Sequence, residues 1–205
     1  MKKLIGKTIA ITVASVLGFF AVFSVFAVLF CPRVFGKMFE NTGNYGASIW
    51  CYERQFDISG SVEDLTAIIL NLKDEDFVKI DKYSQKLLEH KDYSEYIQGE
   101  GKKLFSEEII AEEFFYRKAV VSRYQVAGID SAILGAKTFV DRLGYTSSNP
   151  YRGLVALKSD MLSIEDLTKI QQELQTIKNS LQLDEQVLIE QDIQEIQILI
   201  TNKGE

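Results

Sequence analysis

The chain has 205 residues, of which 46% are hydrophobic and 25% charged, and only two of them are prolines, which favours long helices. Residues 1–37 contain no Asp or Glu, so residues 38–205 hold 18 basic against 29 acidic residues, a net charge of −11. This charge argues against nucleic acid as a partner, because phosphates repel an acidic domain.

The most distinctive segment is an uncharged run of 23 residues, from Thr8 to Phe30. As a helix, at about 1.5 Å per residue, it spans roughly 34 Å, enough for the ~30 Å hydrocarbon core of a bilayer. The apolar region of a cleaved signal peptide usually has only ~7–15 residues, and no small-residue cleavage site follows this one. We therefore predict a transmembrane helix at residues 8–30, after a tail at residues 1–7.

Basic residues flank this predicted span on both sides. Lys2, Lys3 and Lys7 precede it, whereas Arg33 and Lys37 follow it. Under the positive-inside rule, the excess on the first side predicts a cytoplasmic tail and an extracytoplasmic main domain. The chain is then a single-pass protein of the cell membrane.

One face of the predicted span consists of small residues within about 120° of one another, at 100° per residue. They are Ala10, Ala14, Gly18, Ala21 and Ser24. Such a face lets transmembrane helices approach closely, which predicts a homo-oligomer or a membrane partner. Alternatively, it reflects the ordinary abundance of small residues in membrane helices.

After Lys37 the apolar residues recur with helical spacing, and no segment alternates long enough to predict a strand. Ser61 and Ser163 are each followed by acidic residues, as at helix N-termini. We predict an all-α domain in three parts. These are a juxtamembrane linker at residues 31–43, stacked helical hairpins at residues 44–160, and a C-terminal helical hairpin at residues 161–205.

Ser61-Val-Glu-Asp-Leu-Thr-Ala-Ile nearly recurs as Ser163-Ile-Glu-Asp-Leu-Thr-Lys-Ile, at three times a 34-residue period. Asn44 to Leu72 also has the form of one helical unit, with a turn at Gly60. On these segments the chain resembles tetratricopeptide-type repeat proteins. The resemblance implies an α-solenoid with a protein- or peptide-binding surface, and it implies no catalytic residue. A generic helical bundle is the alternative.

Residues suited to catalysis or metal binding are scarce. His90 is the only histidine, and its Glu-His-Lys-Asp setting is typical of a solvated helix end. Gly6-Lys7-Thr8 lacks the first glycine of a phosphate-binding loop. The glutamates at positions 107, 108, 112 and 113 predict a solvated negative face. We therefore predict no catalytic residue, no cofactor and no metal.

Aromatic residues are the more useful signal for binding, because they dominate interface hot spots. They predict a partner surface formed by Trp50, Tyr52, Tyr93, Tyr96 and Tyr116, with a packed core as the alternative. The leading functional hypothesis is a membrane-anchored binding or scaffold module for a protein or peptide near the membrane. The alternative is a structural subunit of a larger membrane complex. An enzyme that uses carboxylates alone comes third.

Overall fold

The computed structural model describes residues 12–19, 21–22, 25–26, 29–105, 110–157 and 161–204. All regular secondary structure in these residues is helical, which confirms the predicted all-α class. The prediction at residues 8–30 falls partly on residues 8–11, 20, 23–24 and 27–28, which lie outside the described part. Among the described residues, no helix combines the length and the apolar character needed to cross a membrane.

The chain divides into two compact units, Met1–Asn71 and Leu72–Glu205. This boundary falls inside the predicted hairpin region at residues 44–160. The first unit contains α1 (Pro32–Asn41), α2 (Tyr45–Ser59) and α3 (Val62–Asn71). In this unit α2 packs against both α1 and α3.

Helix α1 occupies most of the predicted juxtamembrane linker at residues 31–43, so this segment is a packed helix. Its Gly36 lies against the ring of Tyr52 on α2, and a Cβ on residue 36 would sit only 3.1 Å from that ring. Ser48 donates a hydrogen bond to the Gly36 carbonyl at 2.9 Å. Glycine therefore lets the two helices approach closely, a requirement that apolar spacing does not reveal.

A buried carboxylate joins α1 to α3. The guanidinium of Arg33 donates through Nε and Nη2 to Asp64, at 3.0 and 2.9 Å, and through Nη1 to Glu63. Asp64 is 1% exposed and also accepts from the Ser59 hydroxyl. The acidic first turn of α3, predicted from the helix dipole alone, is thus also the ion-pair partner of α1.

The second unit is built around one central helix. Helix α6 (Ala111–Ala127) packs against α4 (Phe77–Leu88), α7 (Ile129–Leu143) and α8 (Pro150–Val155). A short helix α5 (Tyr93–Gln98) and a 3₁₀ turn (Gly101–Leu104) precede it. The fully buried core side chains include Leu87, Phe115, Phe139 and Leu154.

The last two helices, α9 (Ile164–Lys178) and α10 (Leu183–Gly204), pack against each other. They run antiparallel, because Gln171 bonds to Gln197 while Lys178 forms an ion pair with Glu190. At the start of α9 the Ser163 hydroxyl accepts from the Asp166 N–H, and the Asp166 carboxylate accepts from the Ser163 N–H. This reciprocal cap satisfies two backbone donors and explains why α9 begins there.

Helix α10 is also fixed to the loop that follows α7. Gly144 ends α7 with φ +79°, a left-handed conformation that favours glycine. The Tyr145 hydroxyl then donates to Asp192 Oδ2 at 2.6 Å, and Arg152 Nε donates to Asp192 Oδ1 at 2.7 Å. One buried carboxylate on α10 therefore holds both the loop and the start of α8.

Candidate functional site

Most of the aromatic residues predicted to form a partner surface are buried. Tyr52, Tyr93 and Tyr116 are core residues, so the predicted surface is wrong at these three positions. The Tyr52 hydroxyl bonds to a Glu40 carboxylate oxygen, and the Tyr116 ring packs edge-on against Phe139. Helical spacing places such residues on an apolar face, but it does not say whether another helix covers that face.

The other two aromatic residues of the predicted surface are more accessible. The Trp50 side chain is 50% exposed on α2 of the first unit. Tyr96 is half-buried in the second unit, where its ring lies against Gly101. Each lies in its own unit, and neither lines the cavity described below.

The predicted small-residue face of the anchor lies only partly within the described residues. Ala10 and Ser24 lie outside them. Ala14, Gly18 and Ala21 are helical and exposed, and a Cβ on Gly18 would meet no atom within 4 Å.

The most suitable binding site is a cavity of about 410 Å³ in the second unit, formed by α4, α6 and α8. This volume lies within the ~300–1,000 Å³ typical of small-ligand sites. Its apolar walls are Phe77 and Ile80 on α4, and Ile110, Phe114 and Val121 on or just before α6. The Phe114 ring is held in place by Phe105, whose ring centroid lies 4.9 Å away.

Four charged residues also line this cavity: Asp74, Glu113, Arg117 and Lys118. The Lys118 ammonium pairs with Asp74 at 3.0 Å, and it lies 5.4 Å from the centroid of the Phe114 ring. Glu113 and Arg117 are different, because neither has a hydrogen-bond or ion-pair partner among the described residues. The cavity therefore combines apolar walls with one acidic and one basic group that no described side chain neutralises.

The acidic cluster predicted as a solvated face is buried in its second half. Glu107 and Glu108 lie outside the described residues, but Glu112 and Glu113 are 8% and 6% exposed. Glu112 pairs with Arg142 at 2.9 Å, and burial raises the pKa of the Glu112 carboxyl although Arg142 opposes that shift. Glu112 does not line the cavity, whereas Glu113 does. The sequence offers no signal that separates these two adjacent glutamates.

A second cavity, also of about 410 Å³, lies between α4, α6 and α7. Its lining includes Val120 and Gly135, an ion pair between Asp81 and Arg123 at 3.0 Å, and the exposed Glu89. Gln85 also donates to Asp81, so the buried carboxylate of this cavity already has two partners within the protein. This arrangement makes the first cavity the better ligand site.

Residues suited to covalent or metal chemistry are not concentrated at this site. In the part of the chain that the structure describes, no group of three His, Cys, Asp or Glu residues is arranged to hold a metal ion. Ser122 lines the cavity, but its hydroxyl donates to the Lys118 carbonyl of its own helix. The arrangement is suited to binding by shape and charge.

Comparison with protein-family models, curated proteins and solved structures finds no match to this chain. The tetratricopeptide-like resemblance therefore stays a prediction.

Proposed function

We propose that this chain is a membrane-anchored binding module. Residues 8–30 cross the cell membrane once, the short tail faces the cytoplasm, and the helical units lie outside. The cavity formed by α4, α6 and α8, hereafter the α6 groove, binds a short hydrophobic peptide near the membrane. The observation that carries this proposal is the pairing of apolar walls with two charged side chains that have no partner among the described residues.

The groove supports a binding role because its walls include apolar groups that water reaches. Ile110 is 57% exposed and Phe114 is half-buried at the groove. Burying such surface against a ligand stabilises a complex by roughly 25 cal/mol per Å² before the costs of association. The anchor is supported by the uncharged 23-residue run, which is long enough to span a bilayer.

Anchoring and sidedness are tested together with Cys31→Ser and Ser147→Cys in the full chain, since Ser147 is exposed and the remaining Cys51 is buried. We expect the chain to resist carbonate extraction and to react with a membrane-impermeant maleimide in intact cells. Adding Val16→Arg and Phe19→Arg should abolish both results, because each charge costs about 2.5–3.5 kcal/mol at a membrane centre.

The matched control for these arginines is Ile58→Arg, which places the same charge on an exposed residue of α2 and should change neither result. Carbonate extraction of the parent chain would contradict the anchor. Labelling only after permeabilisation would reverse the proposed orientation and leave the anchor standing.

Peptide binding is tested by selection from a random peptide library on the full chain held in lipid nanodiscs. We expect enrichment of apolar peptides, and we expect Ile110→Asp to remove it because a carboxylate would then line the apolar wall. Val78→Asp is the matched control. Val78 is a 72% exposed residue of α4 outside the groove lining, so this variant should select the same peptides. Equal loss in both variants would contradict the proposal.

A second candidate function, a structural subunit of a membrane complex, is favoured by one observation on α10. Leu183, Val187 and Ile198 fall within about 60° on this helix at 100° per residue, and all three are at least 57% exposed. These three exposed apolar residues suit packing against a partner helix, although Gln194 lies on the same face.

A further inference from the structure

The least expected residue of the α6 groove is Glu113. It is 6% exposed, yet its carboxylate has no hydrogen-bond or ion-pair partner among the described residues. Its carboxylate oxygens are not among the fully buried polar atoms, so they are accessible from the cavity. The adjacent Glu112 shows the usual solution, because Arg142 lies 2.9 Å from it. Glu113 lacks such a partner and lines the cavity instead.

One helical turn further along α6 lies the complementary charge. Arg117 is exposed at the groove and has no ion-pair or hydrogen-bond partner among the residues that the structure describes. A glutamate followed four residues later by a basic residue normally forms a pair on a helix surface. Here the Arg117 side chain instead lies along α8, with its Nε 3.4 Å from the position that a Cβ on Gly153 would take.

The two charges are thus held apart along one wall of an apolar groove. Their Cα atoms are separated by about 6 Å along the helix axis, because four residues rise about 1.5 Å each. Two residues of extended peptide span up to about 7 Å, so the charged ends of a dipeptide fit this separation. Its apolar side chains would then face Phe77, Phe114 and Val121.

We propose that the ligand of the α6 groove is a short hydrophobic peptide with both termini free, of about dipeptide size. The ammonium group of the ligand binds Glu113, and its terminal carboxylate binds Arg117. Lys118, which is paired with the 91% exposed Asp74, adds positive potential beside the carboxylate. This inference depends on the proposed peptide-binding function and deepens it, because it assigns the ligand's size and its two end groups.

The test is calorimetric titration of the full chain in nanodiscs with four probes. These are leucyl-leucine, N-acetyl-leucyl-leucine, leucyl-leucine amide and N-acetyl-leucyl-leucine amide. We expect each blocked end to weaken binding by about tenfold to a hundredfold, the range for a hydrogen bond to a charged group. Glycyl-glycine should bind more weakly than leucyl-leucine, because it lacks the apolar side chains.

Two variants assign each end of the ligand to one residue. With Glu113→Gln, the preference for a free amino end should disappear while the preference for a free carboxylate remains. With Arg117→Gln, the preference for a free carboxylate should disappear while the preference for a free amino end remains. Glu100→Gln, on an exposed glutamate, should leave both preferences unchanged. Because the Glu113 side chain makes no hydrogen bond or ion pair among the described residues, we expect Glu113→Gln to unfold at the same temperature as the parent or higher.

The outcomes separate this inference from the function on which it depends. If the doubly blocked probe binds as tightly as leucyl-leucine and Ile110→Asp abolishes both, the groove binds peptides but the assignment of its charges is overturned. If Glu113→Gln lowers the unfolding temperature and leaves the amino-end preference intact, Glu113 is a structural residue and the inference fails. If no probe binds and no library peptide is enriched, the proposed function fails as well.

Discussion

Replacing Asp192 by alanine is expected to lower the free energy of unfolding by about 3–5 kcal/mol. Its carboxylate is 4% exposed and accepts hydrogen bonds from the Tyr145 hydroxyl and from Arg152 Nε. Alanine would leave a buried hydroxyl and a partly buried guanidinium without their acceptor. The hydroxyl belongs to the loop after α7 and the guanidinium belongs to α8. The substitution should therefore weaken the packing of α8 on α6 as well as the attachment of α10.

Urea denaturation followed by circular dichroism measures this loss. Asp192→Asn keeps one acceptor oxygen and removes the charge, so it should give an intermediate loss. Glu195→Ala changes an exposed carboxylate on the same helix and should stay within about 0.5 kcal/mol of the parent. A loss below about 1 kcal/mol for Asp192→Ala would show that water replaces the bonds.

Raising the pH above about 10 should steeply lower the free energy of unfolding of the second unit. Burial raises the pKa of Tyr93, Tyr145 and Tyr151 well above the ordinary tyrosine value, and donation to Asp192 raises that of Tyr145 further. Above pH ~10 these tyrosine hydroxyls lose their protons in the unfolded chain but keep them in the folded chain. Alkali therefore favours unfolding. Each tyrosine then lowers the free energy of unfolding by about 1.4 kcal/mol per pH unit, or about 4 kcal/mol for the three.

Urea titrations at pH values between about 8 and 11, with tyrosinate absorbance followed in parallel, measure this slope. Tyr151→Phe is the most informative variant, because the Tyr151 hydroxyl is buried without a hydrogen-bond partner among the described residues. It should reduce the slope by about 1.4 kcal/mol per pH unit and cost little stability at neutral pH. Tyr45→Phe, on a 51% exposed residue of the first unit, is the matched control variant. Tyrosines that all titrate near pH ~10 in the folded protein would contradict this account.

Local signals in the sequence account for much of the helical structure. Glycine ends α2, α6 and α7 at Gly60, Gly128 and Gly144, and each has the positive φ that favours glycine. The predicted N-cap at Ser163 is confirmed by its bond to Asp166. These features depend on a few neighbouring residues, which is why a single sequence is enough to find them.

Contacts between helices that are distant in sequence cannot be predicted from such local signals. Glu113 and the exposed glutamates have the same residue type and the same helical spacing, yet only the fold places α4 and α8 beside Glu113 and so buries it. Tyr52 and Tyr116 are apolar-face residues whichever helix covers them. The sequence therefore identifies the helices, whereas the α6 groove arises from the packing of segments distant in sequence.

The position of Asp192 also determines when the second unit can complete its fold during synthesis. The first unit contains both partners of its main ion pair, Arg33 and Asp64, within residues up to Asn71. In the second unit, Tyr145 and Arg152 can form their bonds to Asp192 only after α10 has been synthesised. At translation rates of about 5–20 residues per second, the 40 residues from Arg152 to Asp192 take roughly 2–8 s to make. During that interval the groove helices exist without their closing bond, so a nascent chain at this stage is exposed to chaperones and proteases.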